Sequence, residues 1–565
     1  MGKSENSSNQ STEKVWLKHY PKGVRADVKV DPNKTLPDLF EEIFAKYGDK
    51  SAFTNMGKTL TYAELDQLSK QFANYLLKTA KLKKGDRVAI MMPNLLQYPI
   101  CIYGALRAGM TVVNVNPLYT AKELAHQLKD SGSKAIVVLA NFAHTLQAAN
   151  TGIENVIITE VGDMLPAPKR WIVNFVVKYI KKMVKSFSLP SSVSFRKALW
   201  SWDAGGFSRP TLKGDDIAFL QYTGGTTGVS KGAVLLHRNI LANVEQAKEW
   251  ISSSLTEGGE LVVTPLPLYH IFSLTANCLI FGSIGGHNYL ITNPRDIPNF
   301  IKEIKYLRFT VITGVNTLFN GLLNNHEFSN VDFSKLKVSL GGGMAVQKAV
   351  ADKWQQVTNC ALVEAYGLTE TSPAVCINPL TIKEFNGSIG LPISSTDVSI
   401  RDESGAALEI GQEGELWVKG PQVMQGYWQR QDETDKVISA GWLKTGDIAV
   451  MQPDGYIKLV DRKKDMILVS GFNVYPNQIE EEVAKHPEVL EVAAIGVPDE
   501  KSGEAVKLFV VKRSASLTEQ QVIEFCSKSL TRYKLPKYVE FRSELPKTNV
   551  GKILRRELRD TATAS

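Results

Sequence analysis

Cysteine is scarce in this chain of 565 residues: Cys101, Cys278, Cys360, Cys376 and Cys526 are scattered, odd in number and never in a C-x-x-C spacing. That pattern excludes a disulfide framework and a thiolate zinc site, and it points to a reducing cytoplasmic compartment. The eight histidines form no H-x-x-x-H or H-E-x-x-H pair, which removes a zinc-hydrolase centre and leaves oxygen ligands for any metal. The opening MGKSENSSNQ lacks the apolar segment of a secretory signal. No internal repeat is visible, so solenoids and propellers are excluded. The one long stretch without charge, between Glu260 and Arg295, is broken by Pro265, Pro267, Asn277, Gly282, Gly285 and Gly286. It reads as a strand ending at Val263, a loop, a buried helix over 274–281 and a strand over 288–291, not as a membrane span.

What is present is ordinary in amount and informative in order. Apolar residues make up 43% and charged residues 22%, so disordered, collagen-like and coiled-coil classes are excluded. Sixty-six Lys and Arg against 58 Asp and Glu give a net charge of +8, which suits anionic ligands or anionic membrane. Nucleic acid is not an expected partner, because no reading module is recognisable and the charge is not concentrated in one strongly basic domain.

From Arg87 to Phe319 short β-branched runs (RVAIMM, TVVNV, AIVVL, VIIT, LVVTPL, FTVITGV) alternate with helical patterns, which predicts a mainly parallel sheet covered by helices. From about 389 to 460 the texture changes to short strands and turns, as in GELWVKG and PDGYIKLVD, predicting a small antiparallel unit. After the basic junction DRKKD the tail reads as helix (478–485), strand (489–497), strand (506–512), helix (519–530) and strand (538–541). The fold class is therefore α/β. A large N-terminal domain over 1–461, made of parallel α/β subdomains and an antiparallel β subdomain, precedes a small α+β domain over 462–565.

Tyr222-Thr-Gly-Gly-Thr-Thr-Gly-Val-Ser-Lys231-Gly232 follows an apolar run and precedes a helix-like stretch, so its backbone N–H groups and hydroxyls can wrap phosphate oxygens while Lys231 supplies charge. It is not a Walker A loop: Ser230 stands before the lysine and Gly232 after it. Taken alone, such a loop is as often structural as phosphate-binding. It recurs in one order with AYGLTETSP, GWLKTGD, DRKKDMILVSGFNVYPNQIE and LPKTNVGKILRRE. That set resembles the adenylate-forming superfamily of acyl-CoA synthetases, luciferases and adenylation domains. KVWLKHYP, MMPNLLQYP, NVNPLYT and ITNPRDIPNF extend the likeness to the bacterial long-chain fatty-acid–CoA ligases, from Lys14 to about Asp560.

The resemblance implies a ligase that uses ATP, Mg²⁺ and CoA to convert a long-chain fatty acid, through an acyl-adenylate, into acyl-CoA for uptake and β-oxidation. Thr223, Gly224, Gly225, Thr226, Thr227, Gly228 and Lys231 would form the phosphate loop, with Thr226 and Glu370 at the metal. Gly341, Gly342 and Gly343 would let the adenylate lie on bare backbone, and Glu364, Ala365, Tyr366, Gly367 and Thr369 would line it, Tyr366 against adenine. Asp447 and Arg462 would hold the ribose, Lys552 would bridge carboxylate and α-phosphate, and His270 would orient the carboxylate. Ser470, Gly471 and Phe472 would turn toward the CoA thiol in the second step, with Lys464 as the hinge of a mobile C-terminal domain. Each of these, met singly, has a plainer reading: a solvated charge, a turn glycine or a core histidine. The acyl tunnel is expected around 272–281 and 311–322, and where some long-chain relatives carry a gating Trp this chain has HIFSL.

Two rival functions share most of these residues. One is a fatty acyl-AMP ligase, or another adenylate former that transfers to a carrier-protein pantetheine. The other is a non-catalytic acyl or nucleotide sensor, disfavoured because Lys231, Glu370, Asp447 and Lys552 are all present.

Trp171–Phe187 reads as an amphipathic helix. Lys178, Lys181, Lys182 and Lys185 share one face, and Ile172, Phe175, Val176, Tyr179, Ile180, Met183, Val184 and Phe187 populate the other. It predicts peripheral attachment of a cytoplasmic protein to the anionic inner face of the cell membrane. The alternative is that the apolar face packs on the core or on a second subunit, as in a homodimer.

Overall fold

The computed structural model describes residues 14–223, 230–548 and 551–562. Two large sheets form the body. The first has eight strands, and six of them, from Val193–Ser194 at one edge through Asn155–Thr159, Ser133–Leu139, Arg87–Met91 and Thr111–Asn114 to Ile217–Thr223, are parallel. The second has nine strands, parallel from Ser51–Asn55 through His287–Leu290, Leu261–Thr264, Val311–Gly314 and Val338–Gly342 to Leu362–Gly367. The β-branched runs form these strands because both faces are buried under helices. The apolar runs are shared between two sheets, in keeping with the parallel α/β subdomains expected from the alternation. The division is made by long-range pairing, such as Ser51–Asn55 beside His287–Leu290.

The eight-stranded sheet stops being parallel at one side and the nine-stranded sheet at both, where Lys58–Thr61 also pairs antiparallel with Ser51–Asn55. Lys231–Leu236 and Gly426–Tyr427 return antiparallel beside Ile217–Thr223, and Ala374–Ile377 and Leu391–Pro392 do the same beside Leu362–Gly367. Helix His237–Ile251 is buried along most of its length and is tied to the edge of the nine-stranded sheet and the segment after it: Gln246 donates to Ser394 O at 2.8 Å and Asn243 to Ala374 O at 2.9 Å. Local signals set several helix starts, as in the capping boxes of Thr61 with Glu64 and Thr120 with Glu123.

A five-stranded antiparallel sheet follows, built from Asp397–Arg401, Glu413–Lys419, Trp442–Met451, Ile438–Ser439 and Ile457–Arg462. The last unit packs helices Pro476–Val483 and Glu519–Ser527 on a sheet whose centre is the hairpin Val489–Asp499/Gly503–Lys512, with Tyr538–Arg542 added in parallel. The hairpin Ile467–Val469/Phe472–Val474 and helix Arg555–Ala562 had no counterpart in the sequence reading. The helix expected to reach 530 ends at Ser527.

Within the charge-free stretch the expected helix over 274–281 is present as a π-helix, Leu274–Phe281, between strands Leu261–Thr264 and His287–Leu290. The helix expected over 171–187 is shorter. It runs Lys169–Phe175, continues as a π turn Val176–Ile180 and then stops, with Lys182 at φ +49°. Like charges at Lys178, Lys181, Lys182 and Lys185, with no acid within the segment itself, oppose further helix, so the last three do not share a helical face with Lys178. Among the described residues no helix is long and apolar enough to cross a membrane. All five cysteines are free and buried.

Candidate active site

Both sheets present the carboxyl ends of their last parallel strands to one cavity of 840 Å³, the position at which open α/β sheets bind ligands. Thr223 ends one strand, Gly342 and Gly367 end two others, and the third layer and C-terminal unit close the far side with Arg462, Lys464 and Lys552. His270, Gly343, Ala365, Tyr366, Thr369, Glu370 and Lys231 complete the sequence-predicted residues on its walls. Gly224, Gly225, Thr226, Thr227 and Gly228 lie outside the described residues.

Asp447 lies just behind the wall. The antiparallel register sets it opposite Arg462, and the pair meets at 2.9 Å. The Tyr366 hydroxyl donates to the other carboxylate oxygen at 2.6 Å, and burial beside that anion raises the phenol well above its ordinary range. An aromatic ring and a buried acid are thereby locked side by side, an arrangement able to seat a purine and accept from a ribose.

The triple glycine has two distinct causes. A Cβ on Gly342 would come within 3.0 Å of Ala365 O and 3.1 Å of the Phe272 ring, so that position is fixed by packing inside the protein. Gly343 adopts φ +79°, a left-handed conformation, and its open side faces Lys552: a Cβ there would stand 3.6 Å from Lys552 Cε. Gly341 backs onto Val346, and Glu364 is buried below the cavity, accepting from Val346 N–H at 3.2 Å. Burial raises the Glu364 carboxyl to about 8.

Three basic side chains on the cavity wall are shifted by burial. Burial and the Arg462 guanidinium bring the Lys552 ammonium down to about 8, and burial brings Lys464 to about 8. Burial, reinforced by Lys552, holds His270 at about 3, so it is neutral at physiological pH. Its Nδ1 accepts from Phe272 N–H at 3.3 Å, which assigns the ring proton to Nε2 and makes that atom a donor.

Glu370 sits in a single 3₁₀ turn, Thr369–Thr371, and accepts from the Tyr427 hydroxyl at 2.7 Å. Lys231 lies over the same tyrosine ring at 4.8 Å and pairs with Glu433 at 2.5 Å. Among the described residues no three acidic, histidine or cysteine side chains gather as a metal site. One wall carboxylate fits Mg²⁺, which keeps water and takes its remaining ligands from substrate phosphates. Tyr427 and Glu433 were not foreseen, because GYW and DET carry no spacing that distinguishes them from an ordinary turn and helix.

The cavity continues into an apolar chamber lined by Ala247 and Ile251 of one helix and Ala276, Ile280 and Phe281 of the π stretch. The expectation for 272–281 thus matches part of the wall. That for 311–322 does not: Val315, Leu318, Phe319 and Leu322 pack with Trp354 in a separate core. Ser470, Gly471 and Phe472 are not at the cavity. Ser470 and Gly471, at φ +51° and +82°, form the two-residue turn of a hairpin, and Phe472 stacks on Tyr533 at 4.8 Å.

The sequence matches the family model for AMP-binding enzymes over residues 40–428 and that for the AMP-binding enzyme C-terminal domain over 478–552. It is 60% identical over 550 residues to a long-chain-fatty-acid–CoA ligase of Yersinia pestis, covering 97% of this chain and 98% of that one. A protein of the same name from Bacillus subtilis is 38% identical over 558 residues, covering 98% and 99%. Among solved structures, ATP-bound MatB of Rhodopseudomonas palustris superposes with a TM-score of 0.76 at 27% identity, covering 93% of this chain and 98% of that one. An anthranilate CoA ligase in complex with anthranoyl-AMP gives 0.85 at 22% identity, covering 95% and 98%, a likeness of fold.

Proposed function

Because the chain belongs to the AMP-binding enzyme family, we propose that it is a long-chain fatty-acid–CoA ligase, converting ATP, a long-chain fatty acid and CoA into acyl-CoA, AMP and diphosphate. The observation that carries this reading is the single cavity in which Lys231, Glu370 and Lys552 surround a polar end that opens directly into the apolar chamber of Ala247, Ile251, Ala276, Ile280 and Phe281.

In the first step a carboxylate oxygen attacks the α-phosphorus of ATP and diphosphate leaves. Two anions must approach, and positioning with charge neutralisation supplies most of what such a transfer needs. Lys552, protonated below about pH 8, lies between the glycine backbone and the cavity and bridges them. Neutral His270 donates from Nε2 to the carboxylate without adding charge to the chamber mouth. Lys231, released from Glu433, reaches the phosphates. Glu370 would hold Mg²⁺, which when bound would supply charge neutralisation on the phosphate oxygens. Tyr366, Asp447 and Arg462 orient adenosine. In the second step the CoA sulfur attacks the acyl carbon, the thiol proton goes to solvent or the departing phosphate, and AMP leaves. Lys464, at the junction of the last two units, is the hinge that exchanges Lys552 for the Ser470–Phe472 turn.

The chain also docks on an anionic membrane from the cytoplasmic side. Trp171, Ile172, Phe175, Tyr179, Ile180 and Met183 are each more than half exposed. The opposite side is anchored: Gly162 N–H donates to Asn174 Oδ1 at 2.7 Å and Asn174 Nδ2 donates to Glu160 at 2.8 Å. Between Asp163 and Asp203 there are eight Lys or Arg and no acid. Exposed apolar side chains in a segment rich in lysine suit an interfacial contact with anionic lipid, where the fatty acid is also found.

The test is acyl-CoA and AMP release across saturated fatty acids of increasing length. CoA-dependent AMP release that rises with chain length supports the reading, whereas acyl transfer only to a carrier-protein pantetheine assigns the chain to the acyl-AMP ligases.

A further inference from the structure

Helix Asn316–Leu323 has two faces with different partners. Leu318, Phe319, Leu322 and Leu323 are buried in the core beneath the nine-stranded sheet. Thr317, Asn320 and the capping residue Asn324 fall at helical spacing on another face, and all three bond to the C-terminal unit. Thr317 Oγ1 donates to Gly551 O at 2.9 Å. Asn320 Nδ2 donates to Leu490 O at 3.1 Å. Arg513 Nη1 donates to Asn324 Oδ1 at 2.7 Å while its Nε donates to Val489 O at 3.1 Å, and Asn324 Nδ2 closes the chain of bonds by donating to Asn320 Oδ1 at 3.0 Å.

The first contact explains a residue that the cavity does not use. Gly551 immediately precedes Lys552 and sits at φ +84°. A Cβ on it would come within 2.5 Å of Thr317 Oγ1 and 3.2 Å of Val315 Cγ2. The backbone just before the lysine is therefore pressed against the helix, and only glycine permits that approach. The bond to Gly551 fixes where the next residue begins. The bonds to Leu490 and Arg513 fix the orientation of the strand and turn that carry the rest of the unit.

We propose that the Thr317–Asn320–Asn324 face is a docking ledge that holds the C-terminal domain in the orientation placing Lys552 in the active site, and that its hydrogen bonds set the fraction of enzyme competent for adenylate formation. These are positioning residues: they line no part of the nucleotide-binding wall and act through Gly551 and Leu490. The inference rests on the adenylate-forming reading above. A domain that must leave this orientation for the thioester step has to be held by a few ordinary hydrogen bonds, not by an apolar interface. Each modest bond then shifts the balance between the two orientations by a measurable factor.

The experiment compares the full-length parent, Thr317→Ala/Asn320→Ala and Thr317→Ser. Spin labels are placed on cysteines introduced at exposed Asp352 and Glu524, the native cysteines all being buried. The double variant is expected to move population out of the parent's main distance peak. It should lower kcat for fatty-acid-dependent pyrophosphate exchange about tenfold, with KM for ATP changed less than twofold. Thioester formation from supplied acyl-AMP and CoA should stay the same or rise, and Thr317→Ser should behave as the parent. An unchanged distance distribution, or an equal fall in both half-reactions, overturns the ledge. If the parent itself catalyses no fatty-acid-dependent exchange, the functional reading fails, while the label distances still decide the ledge.

Discussion

The Tyr427 hydroxyl donates to Glu370 at 2.7 Å, joining a residue of the antiparallel return to the carboxylate assigned to the metal. The bond orients a carboxylate on the cavity wall and leaves its second oxygen out of that contact.

Tyr427→Phe removes that bond and little else, since the ring still carries Lys231 above it. The Mg²⁺ concentration giving half-maximal activity should rise by about ten- to a hundredfold, as for loss of an outer partner of a metal ligand, with the thermal midpoint shifted only slightly. Titration of adenylation against Mg²⁺ checks this, and an unchanged requirement removes Tyr427 from the metal's support.

Lys552 carries a depressed pKa of about 8, caused by burial and by Arg462. The cation is the useful form, so kcat/KM for adenylation in the free enzyme should be level below that value and fall as pH rises through it. Thioester formation from supplied adenylate should lack this limb. Lys552→Arg, which cannot deprotonate in the range, should lose the limb at whatever activity it retains, while Lys464→Met should keep it.

Glu364 is raised to about 8 by burial, against about 4.3 in an unfolded chain. A carboxyl raised in the folded state binds its proton more tightly there, so its contribution is fully present below about pH 4.3 and is lost as pH climbs toward 8. Glu364→Gln keeps an acceptor for Val346 N–H and cannot ionise. Thermal unfolding should show the variant gaining on the parent between pH 5.5 and pH 8, and parallel curves would refute the shift.

Much of this site was legible because its chemistry sits in contiguous motifs. Thr223, Lys231, Tyr366, Glu370 and Lys552 each lie at or next to a strand end or in a tight turn, and folding brings those places to one cavity. The unread parts depend on partners far apart in the chain. Glu433 meets Lys231 across 202 positions and Tyr427 meets Glu370 across 57, from a segment of ordinary composition. Ala247 and Ile251 line the apolar chamber of the cavity from a helix whose periodicity is that of any core helix, and Val315 and Phe319, with a similar pattern, do not. The early end of the Lys169–Ile180 helix was missed for another reason: hydrophobic spacing persists past Ile180 although unpaired lysines stop the backbone.

The exposed face around Trp171 to Met183 predicts binding to vesicles containing anionic lipid, weakened by added salt because lysines supply the attraction. Replacing Lys178, Lys181, Lys182 and Lys185 by glutamate should abolish sedimentation with such vesicles without changing activity on a soluble short-chain acid. Failure of the parent to bind at low salt, or equal binding by the variant, would contradict the membrane contact.

The central claim is that one site first joins a fatty acid to AMP under the charge of Lys552 and then passes the acyl group to CoA. It is tested most directly by the two half-reactions of Lys552→Ala, measured separately in single turnover. The account predicts that acyl-adenylate formation from ATP and fatty acid falls by about two to three orders of magnitude. Conversion of supplied acyl-adenylate and CoA to acyl-CoA should stay within a few-fold of the parent. Equal loss in both half-reactions, or adenylate formation that persists without the lysine, would contradict it.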